Sequence, residues 1–326
     1  MNKKKIMKIG VLTSGGDSPG MNPCIRAVVR TAASNDIQVM GIEAGFAGLI
    51  RGNFIPLGPR DVGGILGRGG TFLQTARSLE FREPKGQREA IRQMNSAGID
   101  GLIVIGGDGS LNGAHKLGLQ GIPVIGVPAS IDNDIFGTDM CIGVDTALNT
   151  ILDAIDKLRD TASSHNRAFL IEIMGRSCGY LTLRAGMISG AELALIPEQP
   201  IPLEDVISTV ENAYLRGKEH CIIAVAEGYS PSSTEIAEKI NEMNIGFDTR
   251  VTILGHIQRG GSPTAFDRWL ATRFGVSAVE FLLAGKTDIM TALVGHDIES
   301  IELEEVISKQ RIIPPYYIEL ASKLAK

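Results

Sequence analysis

The sequence is poor in the features that mark several protein classes. It has only four cysteines, Cys24, Cys141, Cys178 and Cys221, and they are widely scattered. They form no CxxC pair and no metal-ligand spacing, so they read as reduced, structural thiols of a cytosolic protein. Positive charge is not in excess: 32 Lys and Arg stand against 37 Asp and Glu, a net charge of -5. No bulk cationic field therefore recommends nucleic acid or an anionic membrane as a partner, and phosphate binding has to come from local clusters. No run is long and apolar enough to span a bilayer. The Lys3, Lys4, Lys5 run is not followed by a signal-peptide core, because Gly10, Thr13 and Ser14 interrupt the apolar stretch. A cytoplasmic location is the expectation. Sequence repeats, low-complexity tracts and obvious linkers are also missing, and no GxxxxGK[ST] loop occurs.

What is present is the mixture of a soluble globular protein, 44% hydrophobic and 21% charged, with enough residues for one large or two ordinary domains. Short β-branched runs alternate with helical patterns. Strands are expected at Lys8 to Thr13, Gly101 to Ile105, Pro123 to Val127, Arg167 to Ile173, Leu193 to Ile196, Cys221 to Ala226 and Val251 to Leu254. Helices are expected at Asn22 to Ala33, Val144 to Arg159, Leu203 to Arg216, Thr234 to Asn244 and Ala265 to Leu283. Runs apolar at every position suit central strands of a parallel sheet covered on both faces. The βαβ alternation predicts an α/β architecture with parallel sheets, whose sites lie beyond the carboxyl ends of strands. The pattern alone places a domain boundary near Gly143.

Two glycine clusters follow predicted strands: Ser14-Gly15-Gly16-Asp17-Ser18-Pro19-Gly20 and Gly106-Gly107-Asp108-Gly109-Ser110. Such turns let backbone N–H groups approach an anion, helped by a helix N-terminus. Either one alone reads equally well as a tight strand-to-helix turn without a ligand; two at equivalent strand ends favour phosphate. Asp108 among phosphate-binding amides would repel the ligand unless a cation intervenes, and Mg²⁺ takes one or two carboxylates plus phosphate oxygens. A turn aspartate bonding its own backbone is the plain alternative. Ser130-Ile131-Asp132-Asn133-Asp134 follows the third strand, where a carboxylate can accept the proton of a substrate hydroxyl. Met174-Gly175-Arg176 and the stretch Arg250 to Arg268, with His256 and Arg259, add cations that can clamp a phosphate ester. A lone arginine or histidine is more often a solvated or structural residue; the position of both clusters at strand ends is what gives them weight.

In order and spacing these clusters resemble the bacterial-type ATP-dependent 6-phosphofructokinases. The resemblance runs from about Lys8 to Ala284, on KIGVLTSGGDSPGMN, RGGTFLQTAR, VIGGDGS, SIDNDI, LRDTASSHNRA, EIMGRSCG and the Arg250 to Arg268 stretch. GGDG alone is unspecific, since NAD and lipid kinases carry it; those enzymes need neither Met174-Gly175-Arg176 nor the Arg250 to Arg268 cluster. The resemblance implies two Rossmann-like three-layer domains with mainly parallel sheets. Residues 1–143 plus 256–306 would form a larger ATP-binding domain, and 144–255 plus 307–326 a smaller one for fructose 6-phosphate. It implies transfer of a phosphoryl group from ATP to the sugar 1-hydroxyl, a step of glycolysis, with Mg²⁺ as cofactor.

By the same resemblance Gly16, Arg77, Ser78, Arg82, Gly107, Asp108, Gly109 and Ser110 would contact ATP, with Phe46 and Phe81 near the adenine. Asp108 would hold the metal and Asp134 support its complex. Asp132 would be the base, and Ser130 and Arg176 would stabilise the transferring group. Met174, Gly175, Glu227, His256 and Arg259 would bind fructose 6-phosphate, and Arg167 and Arg250 would reach its phosphate from a neighbouring subunit of a homotetramer. Ser130 departs from the family's usual threonine but keeps the hydroxyl. A second pocket for ADP or phosphoenolpyruvate would use Arg26, Arg30, Arg159, Glu192, Arg216 and Lys218. Pro59, Arg60 and Glu219 depart from its usual pattern, which implies altered effector control. Two alternatives remain at this stage. One is the pyrophosphate-dependent enzyme, whose members typically carry Asp where Gly109 stands and Lys where Ala129 stands. The other is a catalytically silent sugar-phosphate sensor, which should have lost Asp108 or Asp132.

Overall fold

The computed structural model describes residues 6–324, so Lys3, Lys4 and Lys5 lie outside the described residues. In chain order the elements are β1 (Lys8–Ser14), α1 (Met21–Ala33), β2 (Gln38–Ile42), α2 (Gly45–Arg51), β3 (Phe54–Leu57), α3 (Pro84–Ala97), β4 (Gly101–Gly106), α4 (Asp108–Gly118) and β5 (Val124–Pro128). Next come α5 (Val144–His165), β6 (Arg167–Ile173), α6 (Tyr180–Ser189), β7 (Leu193–Leu195), α7 (Leu203–Leu215), β8 (His220–Ala226), α8 (Ser233–Glu242) and β9 (Asp248–Ile253). The chain closes with α9 (Ala265–Leu283), β10 (Ile289–Val294), β11 (Asp297–Glu302), α10 (Leu303–Ser308) and α11 (Pro315–Leu324). Among the described residues no helix is long and apolar enough to cross a membrane.

The chain forms two compact units. The larger takes the residues up to Ser130, Ile135–Thr146 and Arg259–Arg311; the smaller takes Ile131–Asp134, Ala147–Gln258 and the residues from Ile312 on. The larger holds a seven-stranded sheet in the order β11-β10-β5-β4-β1-β2-β3. Its five central strands are parallel, and the antiparallel pairs β10–β11 and β2–β3 close the two edges. All six residues of β4 are buried, with Ile103 level with Val11 on one side and Ile125 on the other. An apolar residue at every position is what a strand covered on both faces requires. α1 and α9 cover one face, packed so closely that a Cβ at Gly275 would lie 2.7 Å from the Cβ of Ala27.

The smaller unit has a four-stranded, wholly parallel sheet, β7-β8-β6-β9, with its own core of residues such as Leu170, Ile223, Val225, Val206 and Ile236. The expected α/β class with mainly parallel sheets is the one observed. Local boundaries differ: the helix expected to end at Arg159 continues to His165, and the last strand starts at Asp248 rather than Val251. All four cysteines are buried thiols, and burial pushes those of Cys24 and Cys221 upward, away from reactivity.

Candidate active site

The larger unit carries both glycine turns at the carboxyl ends of adjacent parallel strands, β1 and β4. Gly106 is required there: a Cβ would lie 2.5 Å from the carbonyl oxygen of Ser14 and 2.6 Å from Oγ of Ser110. Ser110 is buried in the first turn of α4, whereas Asp108 and Gly109 are exposed at the start of that helix. The N–H groups of a helix's first turn have no partner inside the helix and carry the positive end of its dipole. An exposed carboxylate at that position adds a ligand for a hard cation beside them. Among the described residues no group of three or more His, Cys, Asp or Glu forms a metal cage, so a cation here would need a ligand's phosphate oxygens to complete its shell.

The Arg68 to Arg82 segment lies over the first glycine turn. Thr75 donates to the Gly15 carbonyl at 2.8 Å, and Asn22 donates to the carbonyls of Arg68 and Gly69 and accepts from the Phe72 amide at 2.6 Å. Arg77 and Arg82 are exposed, while Ser78 accepts from the Phe81 amide. Phe46 and Phe81 stack on one another, centroids 4.0 Å apart, both buried against Gly113 of α4. They form a wall behind the turn and are not an open platform. Arg259 packs its guanidinium over Gly16, where a Cβ would lie 2.5 Å from Nη1, and donates to the Asp17 carbonyl. Within this unit it is part of the first turn's floor. Ser130 stands beside Gly107, its Cβ 3.9 Å from where a Gly107 Cβ would be.

The smaller unit gathers a second set. Asp132 is buried at 4% exposure, and Nε of Arg176, whose side chain is mostly exposed, stands 3.8 Å from its carboxylate. Gly175 and Arg176 both adopt the left-handed region, at φ of 148° and 53°. That bend is held by Glu227, whose Oε1 accepts from the amides of Gly175 at 3.2 Å and Arg176 at 2.7 Å. The Met174 amide donates to Oε1 of the fully buried Gln258, which lies in the same short 3-10 turn as exposed His256 and half-buried Arg259.

Arg167 and Arg250 are not part of that cluster. They share the carboxylate of Asp248, at 3.3 and 2.8 Å; Arg167 and Asp248 start β6 and β9, and Arg250 is level with Phe169. Met174 to Arg176 lies past the carboxyl end of β6, a strand of seven residues, which is about 20 Å of chain. Of the expected effector residues, Lys218 pairs with Glu192 at 2.9 Å, and Glu192 also accepts from the Ile222 amide. Arg159 donates to the Ser189 carbonyl, Arg216 ends α7, and Arg26 and Arg30 lie on α1 in the larger unit. Sequence reasoning assigned no role to Asn22, Asp248, Gln258 or Asp267. Their importance comes mainly from partners distant in the chain; Asn22, Gln258 and Asp267 were marked only by their placement inside the quoted stretches, and Asp248 lies outside them.

The family model described as phosphofructokinase matches residues 8–282. The chain is 51% identical to the ATP-dependent 6-phosphofructokinase of Thermotoga neapolitana, over 98% of this chain and 99% of that one. It is 53% identical to the protein of the same name from Natranaerobius thermophilus, over 93% and 94%. Among solved structures, phosphofructokinase from Saccharomyces cerevisiae superposes with a TM-score of 0.87 at 37% identity, over 98% of this chain and 46% of the yeast chain.

Proposed function

Because the chain belongs to the phosphofructokinase family, we propose that it phosphorylates fructose 6-phosphate at the 1-hydroxyl with ATP, yielding fructose 1,6-bisphosphate in glycolysis. The observations that support this reading are glycine turns suited to a polyphosphate in the larger unit and, in the smaller, a buried carboxylate beside a guanidinium.

On the donor side the turns at Gly15–Gly16 and Gly107–Ser110 offer amides to the phosphates, with Arg77, Ser78 and Arg82 at the nucleotide's edge. Asp108 would hold Mg²⁺, which supplies neutralisation of charge on the phosphate oxygens. On the acceptor side Met174, Gly175, Glu227 and His256 hold the sugar. Asp132 takes the proton of the 1-hydroxyl as its oxygen attacks, and Asp134 supports the metal complex. Ser130 and Arg176 donate to the oxygens of the group in transfer, where charge builds. Gly109 and Ala129 leave the donor side without the Asp and Lys typical of pyrophosphate users, which favours ATP. Presence of both Asp108 and Asp132 argues against a silent sensor.

The reading extends to assembly, effectors and location. Arg167 begins β6 and Arg250 is level with Phe169, both away from Met174 to Arg176 beyond the end of that strand. We assign them to a neighbouring subunit's substrate in a homotetramer of closed symmetry. Arg26, Arg30, Arg159, Glu192, Arg216 and Lys218 are assigned to an effector pocket for ADP or phosphoenolpyruvate, and the location is cytoplasmic. The test is a coupled assay for fructose 1,6-bisphosphate with purified protein. Turnover with fructose 6-phosphate and ATP is expected, and its absence would refute the function.

A further inference from the structure

Asp267, in the first turn of α9, is fully buried, and no step of phosphoryl transfer described above uses it. Its carboxylate accepts from the Gly143 amide at 2.8 Å, the Thr146 amide at 2.8 Å and the Thr146 hydroxyl at 2.6 Å. Those are amides at the start of α5, which would otherwise have no partner inside their helix. Thr264 completes the knot, its amide donating to Thr146 and its hydroxyl to Asp145.

The segment so held is the one the donor turns lean on. The Ser18 hydroxyl donates to the Ile142 carbonyl at 3.0 Å. Gly143, at φ 102°, would put a Cβ 2.6 Å from that of Ser18, and Gly20, at φ 112°, would put one 2.5 Å from Ile142. Ile142 also donates to the Pro128 carbonyl and pairs with Ala129, whose amide donates to Gly106. The first glycine turn and the end of β5 thus meet the Ile142–Gly143 segment that Asp267 clamps, and Gly106 at the end of β4 reaches it through Ala129.

We propose that Asp267 is a positioning residue for phosphoryl transfer: its carboxylate, by clamping Gly143 and Thr146, fixes the backbone against which the first glycine turn and the end of β5 are set. This inference rests on the kinase reading. Burial pushes the Asp267 carboxyl up from 3.8 to about 6, with Asp145 adding repulsion and the three hydrogen bonds opposing the rise. Asp145 is the charged group facing it; Ser18, Gly20 and Thr264 bring none, and Arg268 is turned to the Pro263 carbonyl and Ser262. With the folded value raised, the protonated form is the one the fold favours. This group's contribution to stability is fully present below 3.8 and lost as pH rises through about 6. The ionised clamp is therefore kept at a cost to stability, as groups retained for function are.

Protonation takes an acceptor site from the clamp, so the rate at saturating fructose 6-phosphate should fall below a midpoint near 6. Two variants test this, read by kcat/KM for ATP against pH. Asp267→Asn should lose roughly 10- to 100-fold, the scale on which a displacement of about 1 Å acts, and should lack the part of the acid limb with its midpoint near 6. Thr146→Val removes one hydrogen bond that holds the carboxyl down, so its acid limb should move to higher pH with near-normal activity at pH 8. Without any substrate, the parent's thermal stability should fall relative to that of Asp267→Asn as pH rises through about 6. A folded Asp267→Asn within about twofold of the parent, or a limb unmoved in Thr146→Val, overturns the proposal. If Asp267→Asn does not fold, Thr146→Val decides. No turnover by the parent protein would instead strike the kinase reading, and the pH dependence of stability would then decide whether Asp267 titrates as described.

Discussion

The two units meet phosphate with different chemistry. In the larger, the groups offered are backbone amides in glycine turns and the start of α4, braced from behind by Phe46, Phe81 and the Arg68 to Arg82 segment. In the smaller, they are side chains: Arg176 beside Asp132, Arg167 and Arg250 on Asp248, and His256 on the short turn that Gln258 holds through its backbone. Amides in a rigid turn read a chain of phosphates without reading what carries it. Side chains set by individual hydrogen bonds read one shape, and suit a sugar with a single reacting hydroxyl. The comparison predicts that damage to each unit has a separate kinetic signature.

The largest effect is expected at Asp132. Asp132→Asn keeps the shape but cannot take the proton, so kcat should fall by roughly 10²- to 10⁴-fold. Circular dichroism and fructose 6-phosphate binding should stay near normal. Near-parental turnover would remove Asp132 as the base.

Arg250→Ala should raise KM for fructose 6-phosphate by roughly 10- to 100-fold, since a hydrogen bond to a charged group contributes about 1.5–3 kcal/mol. KM for ATP should change little. Hybrids of Arg250→Ala and Asp132→Asn subunits should regain activity, because one site in such a hybrid has an intact base and an intact neighbouring arginine. Inactive hybrids, shown to have formed, would contradict the shared site.

A smaller and opposite signature belongs to the donor turn. At Gly109 a Cβ would meet nothing within 4 Å, so Gly109→Asp should fold normally. Two like charges about 4 Å apart at an effective dielectric of about 20 repel by about 4 kcal/mol, so a loss of at least about tenfold in kcat/KM for ATP is expected. Fructose 6-phosphate binding should be unaffected. Equal loss for both substrates would erase the distinction between the units.

Much of this was legible in the sequence where the signal is local. β4 and β5 were visible as unbroken apolar runs, and Arg167–Ile173 and Ala265–Leu283 match the expected bounds. The edge strands β3 and β11 were not, because edge positions are half-exposed and lack a continuous apolar run; the inner strands β2 and β10, of five and six residues, were missed as well. Glycine turns announce themselves by composition. The residues that brace them do not: Asn22 acts on a loop 46 to 50 residues away, and Asp267 on one more than a hundred away. Nor could spacing separate Arg167 and Arg250 from Met174 to Arg176, since only strand pairing puts Arg167 at the start of β6, Arg250 level with Phe169, and Met174 to Arg176 past the strand's end.

The most direct test of the central claim is the choice of donor by the purified protein. Production of fructose 1,6-bisphosphate is followed with saturating fructose 6-phosphate, Mg²⁺ and either ATP or pyrophosphate. With Gly109 and Ala129 in the donor turns, ATP should support turnover, with kcat/KM at least about 100-fold above that for pyrophosphate, a difference of about 2.7 kcal/mol. Comparable efficiency with the two donors would contradict the account.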